Sequence, residues 1–396
     1  MSTSASPLAT HSTRVSSIAP VLDIDTLIAD RGIEIVVCCG SGGVGKTTTA
    51  AALGLRAAEA GRRVVVLTID PARRLAQSLG LTQLDNTPRP VQGIDTSRGG
   101  SLDAMMLDMK RTFDDVVIAH AEPGKAEQIL ANPFYQAVSS SFAGTQEYMA
   151  MEKLGQLKAS ADDWDLIVVD TPPSRSALDF LDAPTRLGSF LDGRFIRLLS
   201  APARAGSRAG LKVFGFGVQL VSGTMTKILG GQMLSDVQTF VAALDTMFGG
   251  FRERADQTYR LLAEDGTSFL VVAAPERDAL REAAFFVDRL QADGMPLGGL
   301  VVNRIGRVAA PGLTPAKALS VAESLEDGGG PRSATNAAGV LRLHAALVKT
   351  AERQRELAER FSRGHPGIPV AHVPALRTDV HDLDGLREVG SALAGA

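Results

Sequence analysis

The sequence predicts an α/β protein with a doubly wound, mostly parallel sheet and a helical subdomain inserted into it, and three observations predict this. Short apolar runs recur along the chain, each followed by Gly, Asp, Pro or Asn and then by helix-like sequence. The runs, Ile33–Cys39, Val64–Ile69, Leu166–Val169, Phe269–Ala273, Leu300–Val302 and Val370–Val373, are apolar almost throughout, as strands covered on both faces must be. The gaps after the second and third runs, about 95 and about 100 residues, exceed what one crossover helix needs, so extra structure is expected there.

Taken in chain order, the Ser/Thr-rich start from Met1 to Ser17 lacks the apolar stretch of a signal peptide, and residues 1–30 read as a disordered tail of a cytoplasmic protein. Residues 31–390 then form the principal domain. Its first helix is expected from Thr47 to Ala60, rich in Ala and Leu and closed by Gly61. The segment Glu147–Leu157 and the spacing of Leu234, Val237, Val241, Leu244 and Phe248 are helical, so a helical subdomain is expected over about 110–160 and 185–260, at one edge of the sheet. Eight of the ten methionines lie between Met105 and Met247, among them Met106, Met109, Met149 and Met151. They suit either a helical core or an adaptable groove for an apolar client. The stretch 310–338, with Gly328, Gly329, Gly330 and Pro331, reads as a flexible excursion, and a helix follows from Leu341 to Phe361.

Composition narrows the function classes. The chain has 396 residues, 45% hydrophobic and 21% charged, enough for a sizeable core, and a formal net charge of -3 that gives no general basis for nucleic-acid binding. No stretch of about 18 apolar residues spans a membrane. The two cysteines, Cys38 and Cys39, are adjacent inside an apolar run and form neither a disulfide framework nor a C-x-x-C metal site.

The chemistry is concentrated in Gly40-Ser41-Gly42-Gly43-Val44-Gly45-Lys46-Thr47-Thr48, which satisfies G-x-x-x-x-G-K-[ST] between a strand and a helix and marks a P-loop NTPase. Glycines let the backbone close on phosphate while its N–H groups and the helix N-terminus face the anion. Lys46 is expected on the β- and γ-phosphates, Thr47 on Mg²⁺ and Thr48 at the α-phosphate of ATP. Asp70 and Asp170 end apolar strands at the carboxyl edge, where the loop also opens. Asp170 suits the Walker-B position with Mg²⁺, and Asp70 remains to orient the attacking water; each also suits a turn or a helix N-cap.

Gly40–Thr48, Asp70-Pro71-Ala72 and Asp170-Thr171-Pro172-Pro173 resemble, in order and spacing, the phosphate loop and two switches of the arsenite-pump and guided-entry ATPases, a deviant Walker A class. By the same resemblance Asn303 reads the adenine edge and the loop around Pro374 covers the base. The resemblance implies a dimer that closes over Mg-ATP and changes the shape of a composite surface on hydrolysis. Three features depart from the family pattern. Ser41 stands where its signature lysine is usual, Ser174-Arg175-Ser176 replaces the usual run after the second switch, and the zinc-clasp C-x-x-C is absent. The serine leaves open an internal substitute, slow turnover, or a heterodimer in which a paralogous chain brings the lysine. Three functional classes follow: protein targeting or chaperone-like handling of an apolar client, the energising subunit of a membrane anion or solute exporter reached through a membrane partner, and a spatial organiser. A homodimer or heterodimer is expected and no nucleic acid.

Overall fold

A computed structural model describes residues 19–70, 74–121, 124–133, 135–136, 139, 145–160, 163–172, 253–254, 256–328 and 331–395. Eight strands, β1 (Ile35–Cys39), β2 (Arg63–Thr68), β3 (Arg89–Pro90), β4 (Ser101–Met106), β5 (Leu166–Asp170), β6 (Thr267–Ala273), β7 (Leu297–Ile305) and β8 (Val370–Pro374), form one sheet in the order β3-β4-β2-β5-β1-β6-β7-β8. All neighbours are parallel except β3 on β4. The chain starts at the centre, runs outward through β2 and β4, returns through β5, and then builds the other half from β6. Ligands of such sheets bind outside the carboxyl ends, beside the strand where the winding reverses, and that strand is β1.

Alternation within the strands divides the core into two layers. Ile35, Val37 and Cys39 face one side with Val65, Leu67, Ile167, Val169 and Val271, whereas Val36 and Cys38 face the other with Val64, Val66, Val168 and Val272. The first layer is covered by α4 (Met109–His120), α6 (Thr145–Ala159), α7 (Arg277–Ala292) and the end of α9 (Arg332–Gly364), through Val116, Met149, Leu154, Phe286 and Phe361. The second is covered by α1 (Ile24–Ala29), α2 (Lys46–Glu59), α3 (Arg74–Ser78) and α10 (Leu383–Leu393), through Ile28, Leu53, Leu75 and Leu386. Small residues bring α2 close to the sheet: a Cβ on Gly54 would lie 2.5 Å from the Val66 side chain. Among the described residues no helix is long and apolar enough to cross a membrane.

Several expectations need correcting. Within the expected tail, residues 22–29 are ordered: Asp23 caps α1 through the Thr26 N–H, Ile24 and Ile28 are buried, and Leu22 N–H donates to the Val370 carbonyl, while residues 1–18 lie outside the described residues. Between β2 and β5 lie two more strands, the two-residue β3 and β4, together with α4, α5 (Lys125–Leu130) and α6; β4 is the longer. Its sequence, Ser-Leu-Asp-Ala-Met-Met, lacks β-branched residues, and pairing with β2 makes it a strand. The helices α4 and α6 lie on the sheet face, not at an edge, because their apolar sides complete the β2–β5 layer. Met105, Met149 and Met151 are buried there, as in a packed core. The rest of the expected subdomain, with Leu234, Val237, Val241, Leu244 and Phe248, lies outside the described residues.

The flexible excursion at 310–338 is instead a helical hairpin made of α8 (Pro315–Asp327) and the first turns of α9. Thr314 caps α8 by accepting from Lys317 N–H, and Pro315 occupies its first turn. The alanines Ala318 and Ala322 of α8, and Ala338 and Ala345 of α9, are buried and allow close packing of the pair. Gly328 ends one helix and Pro331 precedes the next, so the Gly-Pro run is punctuation within a hairpin.

Candidate functional site

The loop after β1 is shaped by its glycines. Gly40 has φ +147°, and a Cβ there would lie 2.1 Å from the Val272 carbonyl oxygen of the neighbouring strand. Gly45 has φ +97°, and a Cβ there would meet the Asn303 amide nitrogen at 2.3 Å. Between them, Val44 is buried in the core beneath the loop. Gly45 precedes α2 and offers no side-chain cap, so the first N–H groups of a 14-residue helix are left for an anion. Lys46, buried in that first turn, donates from Nζ to the Ser41 carbonyl at 2.8 Å across the loop. Burial lowers its pKa, with the charge of Asp170 acting in the opposite direction.

Asp170, at the end of β5, lies beneath the loop. Its Oδ2 accepts from the Thr47 hydroxyl at 2.8 Å and from the Thr68 hydroxyl at 2.9 Å. Its Oδ1 is buried with no hydrogen-bond partner among the described residues. Burial pushes this carboxyl up to about 6, against the two hydroxyls and the Lys46 charge that pull it down. A buried carboxylate oxygen with nothing to accept, next to a threonine hydroxyl at the start of a phosphate-binding loop, is the oxygen donor set a hard cation such as Mg²⁺ takes. The residues fit the metal.

Thr47 and Thr48 open into a cleft of about 970 Å³ lined also by Gly43, Gly45, Lys46, Asp70, Asn303, Arg304 and Pro374. Asp70, just past β2, shares this space, and its charge is felt at both Lys46 and Asp170. Gln146 of α6 donates to the Ile69 carbonyl at 2.9 Å, so the layer under the sheet supports the strand end that carries Asp70. Pro374 ends β8, and Ala375, Leu376 and Thr378 to His381 form the far wall. Gly42, with Ser41, belongs to the arch of the loop, outside the cleft lining. Arg175 of the second switch lies outside the described residues.

Asn303 sits in the cleft, but its amide serves the loop: Nδ2 donates to the Val44 carbonyl at 2.9 Å, and Oδ1 accepts from the Arg304 N–H at 2.9 Å. Through both bonds Asn303 braces the loop from the cleft wall. Thr68 and Arg304 complete the site and were not evident from the sequence. Thr68 ends the apolar strand β2, where its even spacing from Val64 and Val66 was a weak signal, and Arg304 lies near the end of β7, where an arginine reads as a surface residue.

A β-strand, a glycine loop with lysine and threonine at a helix start, and a strand-ending aspartate under that threonine together define a nucleotide site of the P-loop NTPase class. Comparison with known sequences narrows the class: residues 33–308 match the model of the family described as anion-transporting ATPase, and the chain belongs to that family. It is a nucleotide-binding ATPase. Among its relatives, "ATPase get3" of Neurospora crassa is 24% identical over 288 residues, covering 71% of this chain and 76% of that protein. "ATPase GET3" of Ajellomyces dermatitidis and of Blastomyces gilchristii are each 26% identical over 292 residues, covering 73% of this chain and 77% of theirs.

Proposed function

We propose that this ATPase is a dimeric switch that couples the state of bound Mg-ATP to the handling of an apolar protein client, as a targeting or chaperone-like factor. The observation that carries the metal-nucleotide part is the buried Asp170 Oδ1, which has no hydrogen-bond partner among the described residues and lies beside the Thr47 hydroxyl at the mouth of the phosphate loop. When bound, Mg²⁺ neutralises phosphate charge and orients the triphosphate. Thr47 and Asp170 hold the metal, directly or through its water. The N–H groups of the loop and of the α2 start receive the phosphates, with Gly40, Ser41, Gly42, Gly43, Val44 and Gly45 supplying the backbone and Thr48 the next hydroxyl. Lys46 exchanges the Ser41 carbonyl for phosphate oxygens, so that a buried cation gains an anionic partner. Asp70 shares the cleft with Lys46 and orients the attacking water for in-line transfer. Pro374 walls the base side, and Asn303, while bracing the loop, offers its second amide N–H and second lone pair to the nucleobase.

The client-handling reading rests on the similarity to the GET3 ATPases and on the absence of thiol ligands for a soft anion-forming metalloid. Cys38 and Cys39 are both buried in β1, and burial pushes the Cys39 thiol up to about 12. The sequence has no C-x-x-C, and its two cysteines are adjacent and buried in β1, so a dimer held by a zinc clasp is not the form we propose. The dimer is a homodimer, or a heterodimer with a paralogue whose lysine compensates for Ser41; the protein works in the cytoplasm and meets the membrane through a partner.

Hydrolysis of Mg-ATP by the purified chain, with light scattering on the same samples, tests this reading. Turnover by a homodimer retires the heterodimer, and binding without turnover points to a lysine-bearing partner. Lys46→Ala is expected to reduce turnover at least about a hundredfold, whereas Asp70→Asn should keep nucleotide affinity and lose turnover. Equal hydrolysis by the wild type and both variants rejects the assigned roles. Failure to retain a fluorescent apolar helix peptide in any nucleotide state rejects the client.

A further inference from the structure

We propose that Arg304 is a positioning residue for the phosphate loop, acting on the loop carbonyls from outside and so setting the direction of the N–H groups that receive phosphate. The inference rests on the nucleotide reading of the cleft given above.

Arg304 Nη1 donates to the Gly43 carbonyl at 2.7 Å, and the preceding Asn303 donates to the Val44 carbonyl at 2.9 Å. Two successive carbonyls of the loop are thus held by two successive residues of β7. A trans peptide is planar, with its N–H pointing opposite to its carbonyl. Fixing the Gly43 carbonyl therefore fixes the Val44 N–H on the other side, and fixing the Val44 carbonyl does the same for the Gly45 N–H. Gly43 and Gly45 both have positive φ, conformations in which glycine alone has no Cβ penalty, so this segment has unusual freedom to rotate its peptides. A clamp on the carbonyls removes that freedom before the nucleotide arrives.

Reaching the same loop from consecutive positions is not something a regular strand does, because neighbouring side chains point to opposite faces. The chain manages it by leaving strand geometry at Arg304. This residue has φ +65°, the one non-glycine with positive φ among the described residues, and the β7–β8 register shifts between Val302 and Ile305. The Asn303 side chain accepts from the Arg304 N–H, a bond that steadies the kink. A left-handed arginine is strained, and strain of this kind persists where the surroundings hold it for a purpose. Here the purpose is to turn the guanidinium onto the loop. Its bond to Gly43 is charge-assisted and hence stronger than a neutral one, and it brings positive charge to the cleft wall that Arg304 shares with Lys46.

The test separates side chain from backbone with three variants of the full chain: Arg304→Gly, Arg304→Ala and Arg304→Lys. Glycine keeps the left-handed kink without strain and removes the guanidinium. Alanine removes the guanidinium and retains the strain, and lysine retains one charged donor. Affinity for Mg-ATP and for a non-hydrolysable triphosphate analogue is measured by calorimetry, KM and kcat by phosphate release, and melting temperature without nucleotide. We expect Arg304→Gly to melt no lower than the wild type yet bind triphosphate about tenfold more weakly, equivalent to ~1.4 kcal/mol. The loss should appear mainly in KM, because a preset loop serves ground state and transition state alike. Arg304→Ala should bind as weakly and melt lower, while Arg304→Lys should regain part of the affinity. Affinity of Arg304→Gly within twofold of a wild type that binds normally overturns the proposal and leaves the nucleotide reading standing, as does a lowered melting temperature with unchanged affinity. A wild type that binds no nucleotide overturns both.

Discussion

At the amino edge of the sheet a buried charge has every valence filled, and at the carboxyl edge a buried charge, among the described residues, does not. Arg62, just before β2, is 1% exposed, and all five of its N–H donors are used. They reach Asp165 Oδ1 at 2.9 Å, the carbonyls of Ile28, Asp30 and Ile33, and the Asp165 carbonyl. One side chain therefore ties α1, the entry to β1 and the entry to β5 together. Asp170, at the other end of β5, is equally buried but fills only one oxygen, with the hydroxyls of Thr47 and Thr68. Its other oxygen accepts nothing among the described residues. A saturated buried ion belongs to the framework, whereas an unsaturated one is destabilised until something binds. The difference marks which edge of a parallel sheet works on ligands without appeal to any motif.

The comparison can be attacked at three points. The largest effect on stability is expected from Arg62→Met, which removes the guanidinium from Asp165 Oδ1 and from the carbonyls of Ile28, Asp30, Ile33 and Asp165. A loss of ~3–5 kcal/mol in urea unfolding is expected, with Mg-ATP affinity of the folded protein unchanged. A loss below ~1 kcal/mol would mean that water replaces the guanidinium easily and the amino edge is not the lock described. Asp170→Asn should behave in the opposite manner: the nucleotide-free protein changes by no more than ~1 kcal/mol, because the lost carboxylate was itself poorly satisfied, while Mg²⁺-dependent turnover collapses. Large destabilisation without nucleotide would show that Asp170 is part of the framework after all. The smallest effect belongs to Arg31→Ala. Arg31 also contacts Asp165, at 2.7 Å, but its side chain is 59% exposed. Screening by water limits the loss to below ~1 kcal/mol, and a double variant with Arg62→Met would measure how far the two arginines act through the shared carboxylate.

Legibility in the sequence followed the same division between local and non-local causes. Six strands were readable because a strand covered on both faces is apolar along its whole length, and Val64, Val65 and Val66 carry that signal whatever lies around them. The strand β4 was not, because its polar alternation and its methionines become a strand only by pairing with β2. The α8–α9 hairpin was misread as loose because glycine and proline dominate its turn, while the alanine faces that hold it look like nothing in isolation. In the site, Lys46, Thr47 and Asp170 were legible from loop and strand-end chemistry. The bracing use of Asn303, the hydroxyl of Thr68 on Asp170 and the turned side chain of Arg304 were not, since each depends on a partner more than a hundred residues away.

The sequence by itself determined that this chain carries a phosphate loop on a parallel α/β sheet, because glycine spacing, the Lys-Thr pair and apolar strand periodicity act over a few residues and need no distant partner. Only the tertiary structure decided which carboxylate lies under Thr47, which oxygen of it finds no donor among the described residues, and which residues clamp the loop. Those outcomes require β5 and β7 to be brought beside β1 and α2, and that placement is set by packing of the whole sheet rather than by any local pattern.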